Sequence, residues 1–126
     1  MDLNQFRWKN RLLFVFSEQS NDSIFKDFQS EISTQNDEVL DRDLIVFKIF
    51  EIGPSFMNTT QIESDVANDI RKQFKASPGL FTVILVGKDG GVKLRRNTQL
   101  KLKDIFALID AMPMRREEMR QKAQWL

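Results

Sequence analysis

The sequence predicts a single α/β domain, a four-stranded mixed sheet in the strand order 2-1-3-4 with helices on both faces. Three observations carry that expectation. Two runs, the unbroken apolar Leu12–Phe16 and Leu44–Phe50, apolar but for Lys48, have the β-branched and aromatic character of strands covered on both sides, and an amphipathic helix separates them. A strand-helix-strand unit of this kind is right-handed with parallel strands. The stretch Phe81–Arg96 reads as two further strands joined by a tight turn, because Asp89-Gly90-Gly91 supplies the positive φ angles a hairpin needs.

Residues 1–10 are a lead-in containing Phe6 and Trp8, and Trp8 is expected to lie over one end of the core as a packing anchor. Arg11–Ser17 forms the first core strand, and the polar loop Glu18–Asp22 follows it. Asn21 or Asp22 then caps a helix on which Ile24, Phe25, Phe28 and Ile32 share one face as far as Thr34. The acidic stretch Asp37, Glu38, Asp41 and Asp43 reads as a solvated turn into the second strand. It lacks the regular spacing and glycine of a calcium loop. A loop from Gly53 to Gln61 leads to a second helix marked by Ile62, Val66, Ile70 and Phe74, which ends before Ser77-Pro78-Gly79.

In the hairpin, Phe81–Val86 is the buried strand, whereas Val92, Lys93, Leu94 and Arg95 alternate apolar and charged as an edge strand does. Leu102, Ile105, Phe106, Ile109 and Met112 then make the apolar stripe of a third helix, which Pro113 stops or kinks. The C-terminal segment 113–126 is expected to form a charge-rich helix, with Met119, Ala123 and Leu126 resting on the domain.

Composition narrows the chemistry more than it narrows the fold. The chain has no Cys, His or Tyr. Thiol-disulfide exchange and thiol peroxidase chemistry are therefore excluded, and so are the commonest general base near neutral pH and the ligands of most zinc sites. No catalytic residue, metal site or cofactor is assigned. No apolar run is long enough to span a bilayer. No signal-peptide pattern opens Met1–Asn4, although a mature or truncated chain would begin the same way.

Charge is uneven: residues 1–87 carry a net −4 and residues 88–126 a net +5. Lys88, Lys93, Arg95 and Arg96 crowd the hairpin, and Arg115, Arg116 and Arg120 follow Pro113. Arginine forks suit carboxylate, sulfate or phosphate. Lys88, Lys93, Arg95, Arg96, Arg115 and Arg116 are thus the candidate surface for a protein or anionic ligand, with nucleic acid the less favoured partner. Their competing role is to pair with Glu117 and Glu118 and to blunt a sheet edge. Asp110 lies among apolar neighbours late in a helix, where the dipole disfavours a negative charge, and that placement calls for an arginine partner.

The element order, with a parallel first pair and a terminal hairpin, resembles the minimal thioredoxin fold. Phe81–Gly90 is similar to the thioredoxin hairpin, and Phe16–Ser23 occupies the place of that family's redox loop. There the loop offers Ser20, Asn21, Asp22 and Ser23 in place of Cys-x-x-Cys, and Phe81 fills the position of the cis-proline. A closer resemblance is carried by Trp8–Leu13, Asp41–Leu44, Gly87–Arg95 and Leu108–Met119. On these the chain is identified as a member of an uncharacterised thioredoxin-like "domain of unknown function" family. The family is found as single-domain bacterial proteins and as a module in animal sushi-repeat-containing and coiled-coil-domain-containing matrix proteins. Because many members are exported, the resemblance implies a periplasmic or extracellular location, and it implies no established activity. The expected function is a redox-inactive binding module. The alternative is a hydrolase or transferase working through a serine or carboxylate of the Ser20–Ser23 loop.

Overall fold

A computed structural model describes residues 1–125. Its centre is β1 (Arg11–Ser17), buried along its whole length. It pairs in parallel with β2 (Leu44–Phe50), Arg11 opposite Leu44 and Ser17 opposite Phe50. On its other side it pairs antiparallel with β5 (Thr82–Val86), Leu12 opposite Val86 and Phe16 opposite Thr82. The strand β6 (Val92–Arg96) closes the hairpin with β5. These four strands lie in the expected order 2-1-3-4.

Among the described residues the sheet nevertheless has six strands. The stretch expected to be a loop from Gly53 to Gln61 folds into a small hairpin, β3 (Ser55–Met57) and β4 (Thr60–Ile62), added to the outer side of β2. Asn58 explains the turn. It adopts φ +53°, donates its N–H to Val46 O and accepts the Val46 N–H on its side-chain oxygen, so it ties the tip of the hairpin to β2. Asparagine tolerates this left-handed conformation better than most residues. Ile62 accordingly ends β4 and does not begin the next helix.

Side chains of β1 alternate between two apolar layers. On one face Leu13 and Val15 meet α1 (Ser23–Thr34), α2 (Asn36–Asp41) and α4 (Leu102–Asp110) through Phe28, Val39 and Ile105. On the other Leu12, Phe14 and Phe16 meet α3 (Ser64–Gln73) and the 3-10 turn Leu3–Phe6. Helices therefore cover both faces. Asp22 caps α1, accepting from the Phe25 N–H. Of the acidic stretch expected to be a solvated turn, Asp37, Glu38 and Asp41 lie instead on the short helix α2, with Val39 buried beneath it, and Asp43 alone sits in the turn into β2.

Pro113 opens a helix rather than merely stopping one: α5 (Pro113–Trp125) begins on it, at the position where a missing N–H costs nothing. Met119 of α5 is half-buried, but Ala123 is exposed, and Leu126 lies outside the described residues. What holds α5 to the domain is charge, not an apolar stripe. In the β5–β6 turn only Gly90 needs a positive φ, +85°, while the Gly87 N–H donates to Gly91 O at 2.9 Å to close the loop.

Candidate functional site

Basic side chains are scarce inside proteins unless they are paired. Here four of them, Arg11, Arg42, Lys88 and Arg115, are more than nine-tenths buried at the end of the sheet where β1 and β2 begin. Each is answered by a carboxylate from a distant part of the chain. Arg11 makes a two-pronged bond to Glu118 at 3.1 and 3.0 Å. Lys88 bridges Glu118 at 2.8 Å and Asp43 at 2.9 Å. Arg115 reaches Asp41 at 2.7 Å and Asp110 at 3.0 Å. Arg42 binds Asp110 at 2.8 Å and Glu38 at 2.8 Å, with its guanidinium 4.2 Å from the centre of the Phe106 ring. Lys122 of α5 also pairs with Asp41. This network joins α2, α4 and α5 to the β1–β2 edge. Asp110 thereby receives the arginine partners that its place late in a helix demands.

The electrostatics follow from those contacts. Hydrogen bonds from Lys122 and then Arg115 lower the Asp41 pKa from 3.8 to about 2. Burial pushes Asp110 upward, but the bonds from Arg42 and Arg115 outweigh it and leave the carboxyl below its ordinary value. Glu118 behaves alike, with burial opposed by Arg11 and Lys88 and a net lowering. Carboxylates whose folded pKa is depressed stabilise the fold above their unfolded pKa and lose that contribution as pH falls. For Asp41 the interval runs from 3.8 down to about 2. With each partly exposed carboxylate contributing about 1 kcal/mol after screening, the melting temperature should fall on the order of 10 °C between about pH 5 and pH 2. Thermal denaturation followed by circular dichroism checks this, and Asp41→Asn should flatten part of the fall.

The structure divides the six basic residues of the candidate surface. Lys88 and Arg115 are buried members of the ionic network, so they do not lie on a free surface. The reason is the sheet end itself, which brings Glu118, Asp41, Asp43 and Asp110 to them. Reversing Arg115 would accordingly probe folding and not binding. Lys93 is exposed and pairs with Asp89 at 2.8 Å; this bond and the Gly91 N–H lower the Asp89 pKa. Arg95 is exposed but donates to Phe74 O and Lys75 O, capping the end of α3. Arg96 and Arg116 are exposed. Arg95 pairs across from Ile84 and Arg96 from Val83, which belong to opposite layers, so the two arginines point to opposite faces. The six do not form one patch.

In the loop after β1, Ser20, Asn21 and Ser23 are exposed, and Asp22 is half-buried. The Asp22 carboxylate is occupied by the Phe25 N–H at 3.3 Å and the Ser17 hydroxyl at 3.4 Å. An open cavity of about 290 Å³ lies beside it, lined by Ser17, Glu18, Asp22, Phe81 and Asn97 among others. None of the loop's hydroxyls is hydrogen-bonded to a carboxylate that would activate it.

Trp8 departs furthest from expectation, because it is not a packing anchor. It is 59% exposed with φ +69°, and its N–H donates to Lys88 O at 2.6 Å. Phe6, half-buried, packs against the core where Trp8 was expected to, its ring 6.2 Å from Phe47 in an edge contact. The Arg7 guanidinium lies 5.3 Å from the Trp8 ring. Beside the indole an open cavity of about 310 Å³ is lined by Lys93, Asp89, Met112, Pro113 and Met114. Met114 is 40% exposed. A large aromatic held outside the core in an unfavourable backbone conformation makes this end of the domain a candidate for function. The sequence held no sign of it beyond the tryptophan itself.

Among the described residues no group of three or more His, Cys, Asp or Glu side chains is placed to hold a metal ion. Among them, too, no helix is long and apolar enough to cross a membrane.

Comparison with known proteins agrees with this architecture. Residues 2–118 match the family described as Domain of unknown function (DUF4174). The zebrafish (Danio rerio) Coiled-coil domain-containing protein 80 is 28% identical over an alignment 133 residues long, gaps included, that covers 93% of this chain. The match spans 15% of that relative's length. A reduced 2-Cys peroxiredoxin of Plasmodium vivax superposes with a TM-score of 0.69 at 16% identity, covering 93% of this chain and 85% of the other. Thioredoxin peroxidase I of Plasmodium yoelii gives 0.69 at 16% identity, covering 93% and 80%. These likenesses extend to the fold and stop there, since this chain has no cysteine.

Proposed function

Because the chain belongs to the family described as Domain of unknown function (DUF4174), with a thioredoxin-like fold and no thiol, we propose that it is a redox-inactive binding module. In this reading it engages a protein partner through the end of the domain marked by Trp8 and Met114. The observation that carries the proposal is Trp8 itself, whose exposed indole is fixed by a backbone bond at a positive φ. Such a conformation disfavours a bulky side chain by about 1 kcal/mol or more and persists where its surroundings enforce it. Tryptophan is also the side chain most enriched at the energetic centres of interfaces.

The rim defines the partner's chemistry. Arg7 stacks on the indole, Lys93 lines the neighbouring cavity, and Arg116 is exposed in the first turn of α5. A protein segment that presents an apolar side chain flanked by carboxylates fits this surface. Lys88 and Arg115 serve the surface indirectly, since Lys88 holds the Trp8 N–H through its carbonyl and both anchor α5 beneath Met114. A periplasmic or extracellular location belongs to the same proposal and rests on the family resemblance.

The alternative of a hydrolase or transferase at Ser20–Ser23 gains no support from the loop. Its one carboxylate caps α1, and its hydroxyls are solvated. The test of the binding reading is site-directed photocrosslinking from position 8, with the equally exposed Leu40 as the control position.

A further inference from the structure

The sheet ends in a free strand. In the order β4-β3-β2-β1-β5-β6, the strand β6 pairs with β5 on one side and with no other strand among the described residues. A bare strand edge is a row of backbone donors and acceptors ready to take another strand. The opposite edge, β4, is only three residues long. The side chains of β6 say what fits along it.

Lys93 is the extra residue of a bulge, since Val92 stands opposite Val86 and Leu94 opposite Leu85. Ile84 and Val86 belong to the layer under α3, and Val83 and Leu85 to the layer under α1 and α4. Val92 and Arg95 therefore share one face of β6, and Leu94 and Arg96 share the other. Each face offers an apolar side chain near the turn and an exposed arginine farther along. Val92 is 56% exposed. Leu94 forms, with Leu100 and Leu108, the apolar part of an open groove of about 600 Å³ between β6 and α4.

Charge selects among the possible occupants. Residues 92–104 carry five basic side chains, Lys93, Arg95, Arg96, Lys101 and Lys103, against one acidic, Asp104. Of the five only Lys93 has a carboxylate partner among the described residues. A second copy paired edge to edge would set these cations against the same cations, and like charges across a strand pair are destabilising. The charges that turn away a second copy attract an acidic strand.

We propose that an extended segment of a partner protein adds to β6 as a further strand, with two adjacent apolar residues beside Val92 and Leu94 and two adjacent carboxylates beside Arg95 and Arg96. Main-chain bonds to the edge give such an addition its affinity, and the side-chain pairs give it specificity. The proposal does not rest on the Trp8 reading, for the groove and the cavity beside the indole share only Lys93.

The probe is a synthetic peptide in which two valines are followed by two glutamates between flanking threonines, titrated into the full chain and followed by amide NMR. It should give saturable shifts across Val92–Arg96 with a Kd of about a millimolar, and it should slow hydrogen exchange at those β6 amides that do not bond to β5. The same peptide with lysines for the glutamates, or with proline for the second valine, should bind at least roughly tenfold more weakly. Arg96→Glu should weaken the glutamate peptide by roughly tenfold while the β1 and β5 amides stay in place. Arg116→Glu, at the Trp8 end, should leave its affinity unchanged. The proposal is overturned if the glutamate peptide leaves β6 exchange unaltered, if the lysine or proline peptide matches it, or if Arg96→Glu binds it as the wild type does. It is also overturned if the loss follows Arg116→Glu alone, which would place the peptide at the Trp8 end, or if β6 exchange in the free chain slows with rising protein concentration, which would place a second copy on the edge.

Discussion

Replacing Glu118 with alanine should cost about 3 kcal/mol of stability, because it strands two buried cations at once. Arg11 is 1% exposed and Lys88 8%, and Glu118 is a partner of both. Lys88 retains Asp43, and the Arg11 guanidinium retains only the Arg42 carbonyl, at 3.0 Å. Arg11 Nε already has no hydrogen-bond partner, so this side chain has nothing in reserve. Chemical denaturation measures the loss. Replacing an exposed acid of α5, Glu117, should leave the denaturation midpoint close to that of the wild type. If Glu118→Ala unfolds no more easily than Glu117→Ala, the network is ornamental and α5 is held some other way.

Phe14→Ala should cost about 4 kcal/mol, within the range for emptying a well-packed aromatic site. Phe14 is fully buried at the centre of β1, with ring centres 4.7 Å from Phe47 and 4.5 Å from Phe74. These rings join β1, β2 and the end of α3, so the cavity would open where three elements meet and none can collapse alone. Trp8→Ala, removing a larger but exposed aromatic, should cost about 0.5 kcal/mol or less. Comparing the two melting curves separates a side chain that stabilises the domain from one that is presented by it.

The sheet was legible because its signals are local. Fully apolar runs such as Leu12–Phe16 and the Asp89-Gly90-Gly91 turn declare themselves within a few residues. The β3–β4 hairpin was not legible, since Ser55–Met57 and Thr60–Ile62 are too short for alternation to register, and its turn depends on Asn58 docking against Val46. The ionic network was hidden for a different reason. Arg11 and Glu118 are 107 residues apart, and a buried arginine looks like a surface arginine until the fold brings its acid to it. That is why Lys88 and Arg115 read as binding residues. Trp8 was misplaced because Phe6, two residues away, is the aromatic that packs against the core, and no sequence pattern distinguishes which aromatic of a pair turns inward.

The central claim is that the Trp8–Met114 end is the contact surface of a domain without redox chemistry. A photoreactive phenylalanine analogue at position 8 tests it most directly, with the same group at position 40 as control, in extract or fluid from the native compartment. The account predicts discrete crosslinked products from position 8, absent from position 40. Their yield should fall as salt rises above about 0.1 M, where screening shortens the reach of Arg7, Lys93 and Arg116 to ~10 Å or less, and Met114→Ser should reduce it further. Equal products from both positions, or none from position 8, would contradict the account and move the search for a binding surface elsewhere on the domain.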